Sequence, residues 1–417
     1  MQPAVLNAST RPAFSVWRGT VSGASASLVG IGLARFAYTP LLPAIIDAHW
    51  FAASTAAYLG AANLGGYLAG ALLGGYLAKR ASTTYVLRAM MLLATVAFVA
   101  CAFPLSFLWF FVWRFASGLS GGALMVLAAP TILAHVPPAR RGLVSGAIFA
   151  GIGLGIAASG TIVPLLLREG VKETWLGLGV IALLLTISAW NGWPKQDTPA
   201  HHSQTHHAHA THAKQSRFTL RALYAGYALN AVGLVPHMLF LVDFVSRGLG
   251  KGLDTGAQYW VLFGLGAIAG PLLSGHLADR TGFGPALRVG FAIQIVAVLL
   301  PLISAEPTAL IASSVLMGAA VPGIVPLALG RVNELLAHHP SMQKGAWSTA
   351  TTGFAILQAS AAYGLSFLFT RSGSNYRMLF AIGATSIALA LGIDLLTALR
   401  GQMRQQTQQQ TQQQTRH

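Results

Sequence analysis

Apolar runs of about 20 residues recur along the whole chain, separated by Gly, Pro and charged breaks. A run of that length crosses a hydrocarbon core about 30 Å thick as one helix. Reading from break to break predicts helices at about 20–47, 52–78, 83–103, 106–135, 140–166 and 174–193. Six more follow at about 218–246, 255–278, 284–304, 307–337, 343–370 and 375–399. The pattern is that of an all-α membrane protein with twelve transmembrane helices in two six-helix bundles, 20–193 and 218–399. Residues 1–19 lead in, 194–217 (PKQDTPAHHSQTHHAHATHAKQSR) form a His-rich linker, and 400–417 form a Gln-rich tail expected to be disordered. The first run, Val21 to Ile46, is too long for a leader's apolar segment and has no small-residue cleavage site behind it, so it is expected to stay.

Composition agrees, with 54% hydrophobic and only 9% charged residues, against roughly 25% charged in a soluble domain. The net charge of +16 would fit a nucleic-acid partner, so the position of the charges decides. With the N-terminus inside, 18 Lys and Arg fall in cytoplasmic segments and six in outer loops, while Arg35 and Arg114 lie inside helices. That bias is the positive-inside rule. It predicts a bacterial inner-membrane protein with both termini cytoplasmic, in contact with lipid and not with nucleic acid.

The one cysteine, Cys101, excludes an intramolecular disulfide and any multi-cysteine metal site. Six linker histidines (His201, His202, His206, His207, His209 and His212) have no fixed geometry, so the tract reads as solvated, with no metal and no cofactor.

An offset of 200 lays Gly66–Arg80 on Gly266–Arg280 with nine identities in fifteen positions. A second echo, offset by 203, pairs His135, Pro137, Arg141, Gly142 and Ser145 with His338, Pro340, Lys344, Gly345 and Ser348. Duplicated halves are characteristic of transporters that rock around a central site.

The segment GHLADRTG (Gly275 to Gly282) resembles the loop signature of the major facilitator superfamily, and GIGLARFAYTPLLPAI (Gly30 to Ile45) resembles the first helix of its YbfB-type branch. The resemblance implies the superfamily's fold, alternating access and the movement of a small solute. It implies gating roles for Gly75, Lys79, Arg80, Gly275, Asp279 and Arg280. Asp279 can cap a helix N-terminus and pair with a basic residue. Lys79 stands at the equivalent place in the first half, so the two latches are expected to differ.

Arg114, in WRFASGLSGG, falls near the bilayer midplane, where a charge costs at least about 2.5 kcal/mol without a cavity or partner. Either a cavity or backbone carbonyls could meet it, and Arg114 is assigned to the substrate pathway. Arg35 and Tyr38 lie beside Pro40 and Pro43, which loosen the helix as at cavity linings, and are assigned to the substrate pathway. VPHMLFLVDF brings His237 and Asp243 into an apolar setting as proton-coupling candidates, with His237 also in the pathway and Asp243 able to pair with Arg247 instead. Two embedded arginines facing so little acid favour an anionic solute. Polar residues in helix eleven, Gln358 among them, read individually as interhelical hydrogen bonds.

The chain carries no HExxH, GxSxG or phosphate loop, which argues against an enzyme. The expected function is a monomeric secondary transporter of a small, anionic organic solute, coupled to protons. Glycines at 142, 151 and 155 resemble the antiporter pattern without its proline, keeping drug or metabolite efflux open beside a channel or receptor.

Overall fold

The computed structural model describes residues 14–51, 53–194, 210–373 and 375–414. Helix α1 runs as consecutive pieces Val16–Ser27, Leu28–Leu33, Ala34–Phe36 and Tyr38–Asp47. It is followed by α2 (Ala53–Arg80), α3 (Thr83–Cys101), α4 (Phe107–Leu133), α5 (Arg141–Leu167) and α6 (Val171–Ala189). Helix α7 comprises Ala210–Gly233, Pro236–Phe240, Leu241–Asp243 and Phe244–Gly248. Then come α8 (Leu253–Thr281), α9 (Phe283–Ile303), α10 (Pro307–Leu335), α11 (Pro340–Arg371) and α12 (Tyr376–Gln414). Among the described residues, 11 helical spans are long and apolar enough to cross a membrane. Helix α2 is long enough at 28 residues, but its Gly and Ala dilute its hydropathy.

Ser82 and Ser106 start α3 and α4 by accepting from the amides of Tyr85 and Trp109, which fixes two helix entries. Large apolar side chains such as Leu105 (73% exposed) and Ile303 (76%) point outward, where a soluble protein would place polar ones. Lipid is the solvent that suits them. With twelve crossings, the start of α1 and the end of α12 share one side, called here the terminal face.

Three boundaries differ from the sequence reading. Helix α7 resumes at Ala210, inside the span read as linker, while residues 195–209 lie outside the described residues. The tail is helical through Gln414 and not disordered: Gln and Arg are good helix formers, and no proline interrupts the run from α12. Residues 415–417 lie outside the described residues. Third, α1 and α7 are interrupted by π-helical turns at Leu28–Leu33, Pro236–Phe240 and Phe244–Gly248. Such turns perturb the backbone ladder and are common at functional sites.

The internal repeat has a packing cause. A Cβ on Gly66 would lie 1.9 Å from the Phe115 carbonyl oxygen, and one on Gly266 2.1 Å from that of Val315. The repeated glycines therefore let α2 lie on α4, and α8 on α10, at backbone contact. The halves meet mainly where α5 lies against α8. There a Cβ on Gly146 would lie 2.2 Å from the Pro271 oxygen, and one on Gly153 2.0 Å from that of Ala267.

Candidate functional site

Arg35 follows the π turn of α1 and is half-buried. Its Nη2 donates to Gln358 Oε1 of α11 at 2.8 Å, joining the two halves. The guanidinium lies 5.5 Å from the Phe36 ring centroid and 5.9 Å from that of Tyr67. Tyr67 stands at the midpoint of α2, about 20 Å from each helix end at 1.5 Å per residue. Arg35 is thus held near the middle of the membrane.

On the α11 side, Gln358 also donates through Nε2 to Met238 Sδ at 3.7 Å. One turn away, Phe354 stacks on Tyr227 of α7 with centroids 4.7 Å apart, and Tyr227 packs on Trp347 at 5.8 Å. Gln358 and Phe354 lie four residues apart on α11, so the Arg35 bond and the Tyr227 contact sit within one helical turn and these groups form one cluster. The Tyr227 hydroxyl is buried without a hydrogen-bond partner. The sequence reading missed Tyr67, Tyr227, Phe354 and Trp347, and took Gln358 for an ordinary interhelical bond. A tyrosine in the otherwise small-residue run of α2 was the available signal.

The other pathway candidates lie elsewhere. Arg114 is 2% exposed inside the first bundle, with Nη1 donating to the Ala34 carbonyl at 2.9 Å. Its guanidinium lies 4.4 Å from the Tyr38 ring centroid and 5.9 Å from that of Trp175. Asn63 Nδ2 reaches the same Ala34 oxygen at 3.4 Å. This is the backbone-carbonyl arrangement, and the broken backbone around Ala34, one residue before Arg35, is what the two donors hold.

His237 is wholly buried within the second bundle, one residue before Met238, which contacts the Arg35 partner Gln358. Its Nε2 lies 2.7 Å from Ser313 Oγ, and Ser313 donates its hydroxyl to the Ala297 carbonyl at 2.6 Å. Since that single hydroxyl hydrogen is committed to Ala297, Nε2 must be the donor. Nδ1 then carries the bare lone pair, and it has no partner. Asp243 is bonded to Arg247 and accepts from the Tyr376 hydroxyl at 2.7 Å. These engagements take Asp243 away from His237 as a freely exchanging proton site.

Asp279 accepts from the amides of Gly142 and Leu143 at 2.8 Å each, capping α5 across the boundary between the halves. A carboxylate suits the positive end of a helix dipole. No ion pair to Asp279 is present among the described residues. On α10, Glu334 accepts from the Phe283 amide at 2.9 Å and pairs with Arg331 at 2.9 Å. Lys79, Arg80 and Arg280 are exposed, and Arg80 rests on the Tyr76 ring at 5.1 Å. Gly75 faces Ser348, whose hydroxyl donates to the Ala71 carbonyl at 3.0 Å.

Two more atoms complete the join: Trp347 Nε1 donates to the Met125 carbonyl at 3.1 Å. These hydrogen bonds between the halves lie near the midplane or toward the terminal face.

Two repeated helical bundles, joined on one face and meeting at an embedded polar group, define a multi-pass membrane transporter. The chain matches the family described as "Uncharacterised MFS-type transporter YbfB" over residues 27–395, and it belongs to that family of the major facilitator superfamily. Its fold is similar to that of the proton:xylose symporter XylE bound to 6-bromo-6-deoxy-D-glucose (15% identity, TM-score 0.70, covering 90% of this chain and 94% of that one). It is similar also to the E. coli fucose:proton symporter FucP (14%, TM-score 0.64, 90% and 98%). The human organic anion transporter MFSD10 shares the fold as well (15%, TM-score 0.71, 92% and 100%). No curated protein matches the chain.

Proposed function

We propose that this protein is a secondary transporter that carries a small organic anion through the bacterial inner membrane by alternating access. The observation that carries the reading is Arg35, held at the midplane by a neutral glutamine of the other half. Among the described residues, the ion pairs are Arg247–Asp243, Arg288–Asp394 and Arg331–Glu334, so no carboxylate neutralises Arg35 or Arg114. An embedded charge without a protein counterion favours a solute that brings one. Arg35 also retains N–H groups with no partner among the described residues, and a guanidinium fork is suited to a planar oxyanion.

Alternating access follows from where the bonds between the halves lie. Asp279, Ser348 and Trp347 hold the terminal face shut, and the distribution of Lys and Arg makes that face cytoplasmic. Proton coupling is assigned to His237, whose Nδ1 is the unoccupied basic site of the second bundle. Purified protein should gain thermal stability with a panel of small carboxylates, sulfonates and phosphate esters, and none with matched neutral amides or amines. Arg35→Ala should abolish the gain. Stabilisation by neutral solutes that survives Arg35→Ala would remove the anion reading.

A further inference from the structure

The cluster around Arg35 is more aromatic than gripping an anion requires. Phe36 and Tyr67 flank the guanidinium from the first half, while Tyr227 and Phe354, both in the second half, pack on each other in tilted contact at 4.7 Å. Phe354 and Gln358 are four residues apart on α11, so their side chains share a face one helical turn apart. An oxyanion held by Arg35 next to Gln358 therefore presents whatever it is attached to toward the Phe354–Tyr227 pair. A flat ring attached directly to the oxyanion lies against those rings in offset or edge contact, which an aliphatic chain cannot reproduce. The unpartnered Tyr227 hydroxyl adds one buried polar atom at the far end of that path.

We infer that the substrate is an aromatic carboxylate, with its carboxylate on Arg35 and its ring against Phe354 and Tyr227. This rests on the organic-anion reading above and narrows it. It assigns selectivity to residues on α7 and α11 and charge recognition to α1.

The test is equilibrium binding by calorimetry to the full-length protein in lipid nanodiscs, with four probes: benzoate, its saturated-ring analogue cyclohexanecarboxylate, its neutral amide benzamide, and the shorter acid butyrate. Benzoate should bind roughly tenfold more tightly than either aliphatic acid, the scale of a good aromatic contact, and benzamide should not bind. Phe354→Leu should bring the ratio of benzoate to butyrate affinity close to one. Tyr227→Phe, which keeps the ring, should retain the preference. Equal binding of the three acids would overturn the aromatic inference and leave the anion reading standing. Benzamide binding as well as benzoate, or binding by none of the acids, would overturn the anion reading itself.

Discussion

Arg35 and Arg114 look alike in the sequence, each an arginine inside an apolar run, yet their surroundings assign them opposite work. Each guanidinium has one neutral acceptor and two aromatic neighbours, but Arg114 meets a backbone carbonyl with almost no exposure, whereas Arg35 is half-open and meets a side-chain amide of the other half. Arg114→Ala should therefore destabilise the fold by the loss of a buried charged hydrogen bond, about 1.5–3 kcal/mol, and keep the ligand-induced rise in thermal midpoint, while Arg35→Ala, which loses the Gln358 bond, should remove that rise. A differential scanning measurement with and without anions separates the two. The sequence showed that both charges were embedded, but not what each meets, because the Ala34 carbonyl becomes available only through the tertiary placement of α1. For His237 the same limit applied: its neighbours Ser313 and Ala297 come from α9 and α10, far along the chain. His237→Gln is expected to preserve anion binding and to abolish acceleration of flux by a proton gradient. Unchanged gradient dependence in that variant would remove the coupling assignment.

At the scale of the helices, the sequence was most informative where glycine spacing dictated packing. The repeat at Gly66–Arg80 and Gly266–Arg280 marks the α2–α4 and α8–α10 contacts. The antiporter-like glycines of α5 also have packing explanations: a Cβ on Gly151 would lie 2.1 Å from the Ala24 carbonyl oxygen, and one on Gly155 2.3 Å from the Gly32 Cα. The π turns were not legible, since π and α turns draw on the same apolar residues. Asp279 was legible as a capping residue, although its recipient, α5, was not. Because it joins the halves through two amides, Asp279→Asn should weaken the closed terminal face. A cysteine at Ser348 offers a readout, as the native Cys101 is buried and adds little background. Labelling of Ser348→Cys by an impermeant maleimide added at the terminal face should rise severalfold when Asp279→Asn is introduced; an unchanged rate would show that the cap does not control this face.

For the molecule as a whole, hydropathy and the duplicated halves made the fold readable, because lipid tolerates few alternatives to a helical bundle. The substrate region was less legible, since it is assembled from α1, α2, α7 and α11 and its rings are ordinary apolar residues in each helix taken alone. Orientation follows from charge: Lys79→Cys should label from the cytoplasmic side and Lys172→Cys from outside in intact cells, which checks the assigned topology. The measurement closest to the central claim is flux of a radiolabelled organic anion into proteoliposomes. Wild-type protein should show saturable uptake, Arg35→Lys reduced uptake at raised KM, and Arg35→Ala no uptake above empty liposomes, although both variants remain folded. Full saturable uptake by Arg35→Ala would contradict the account.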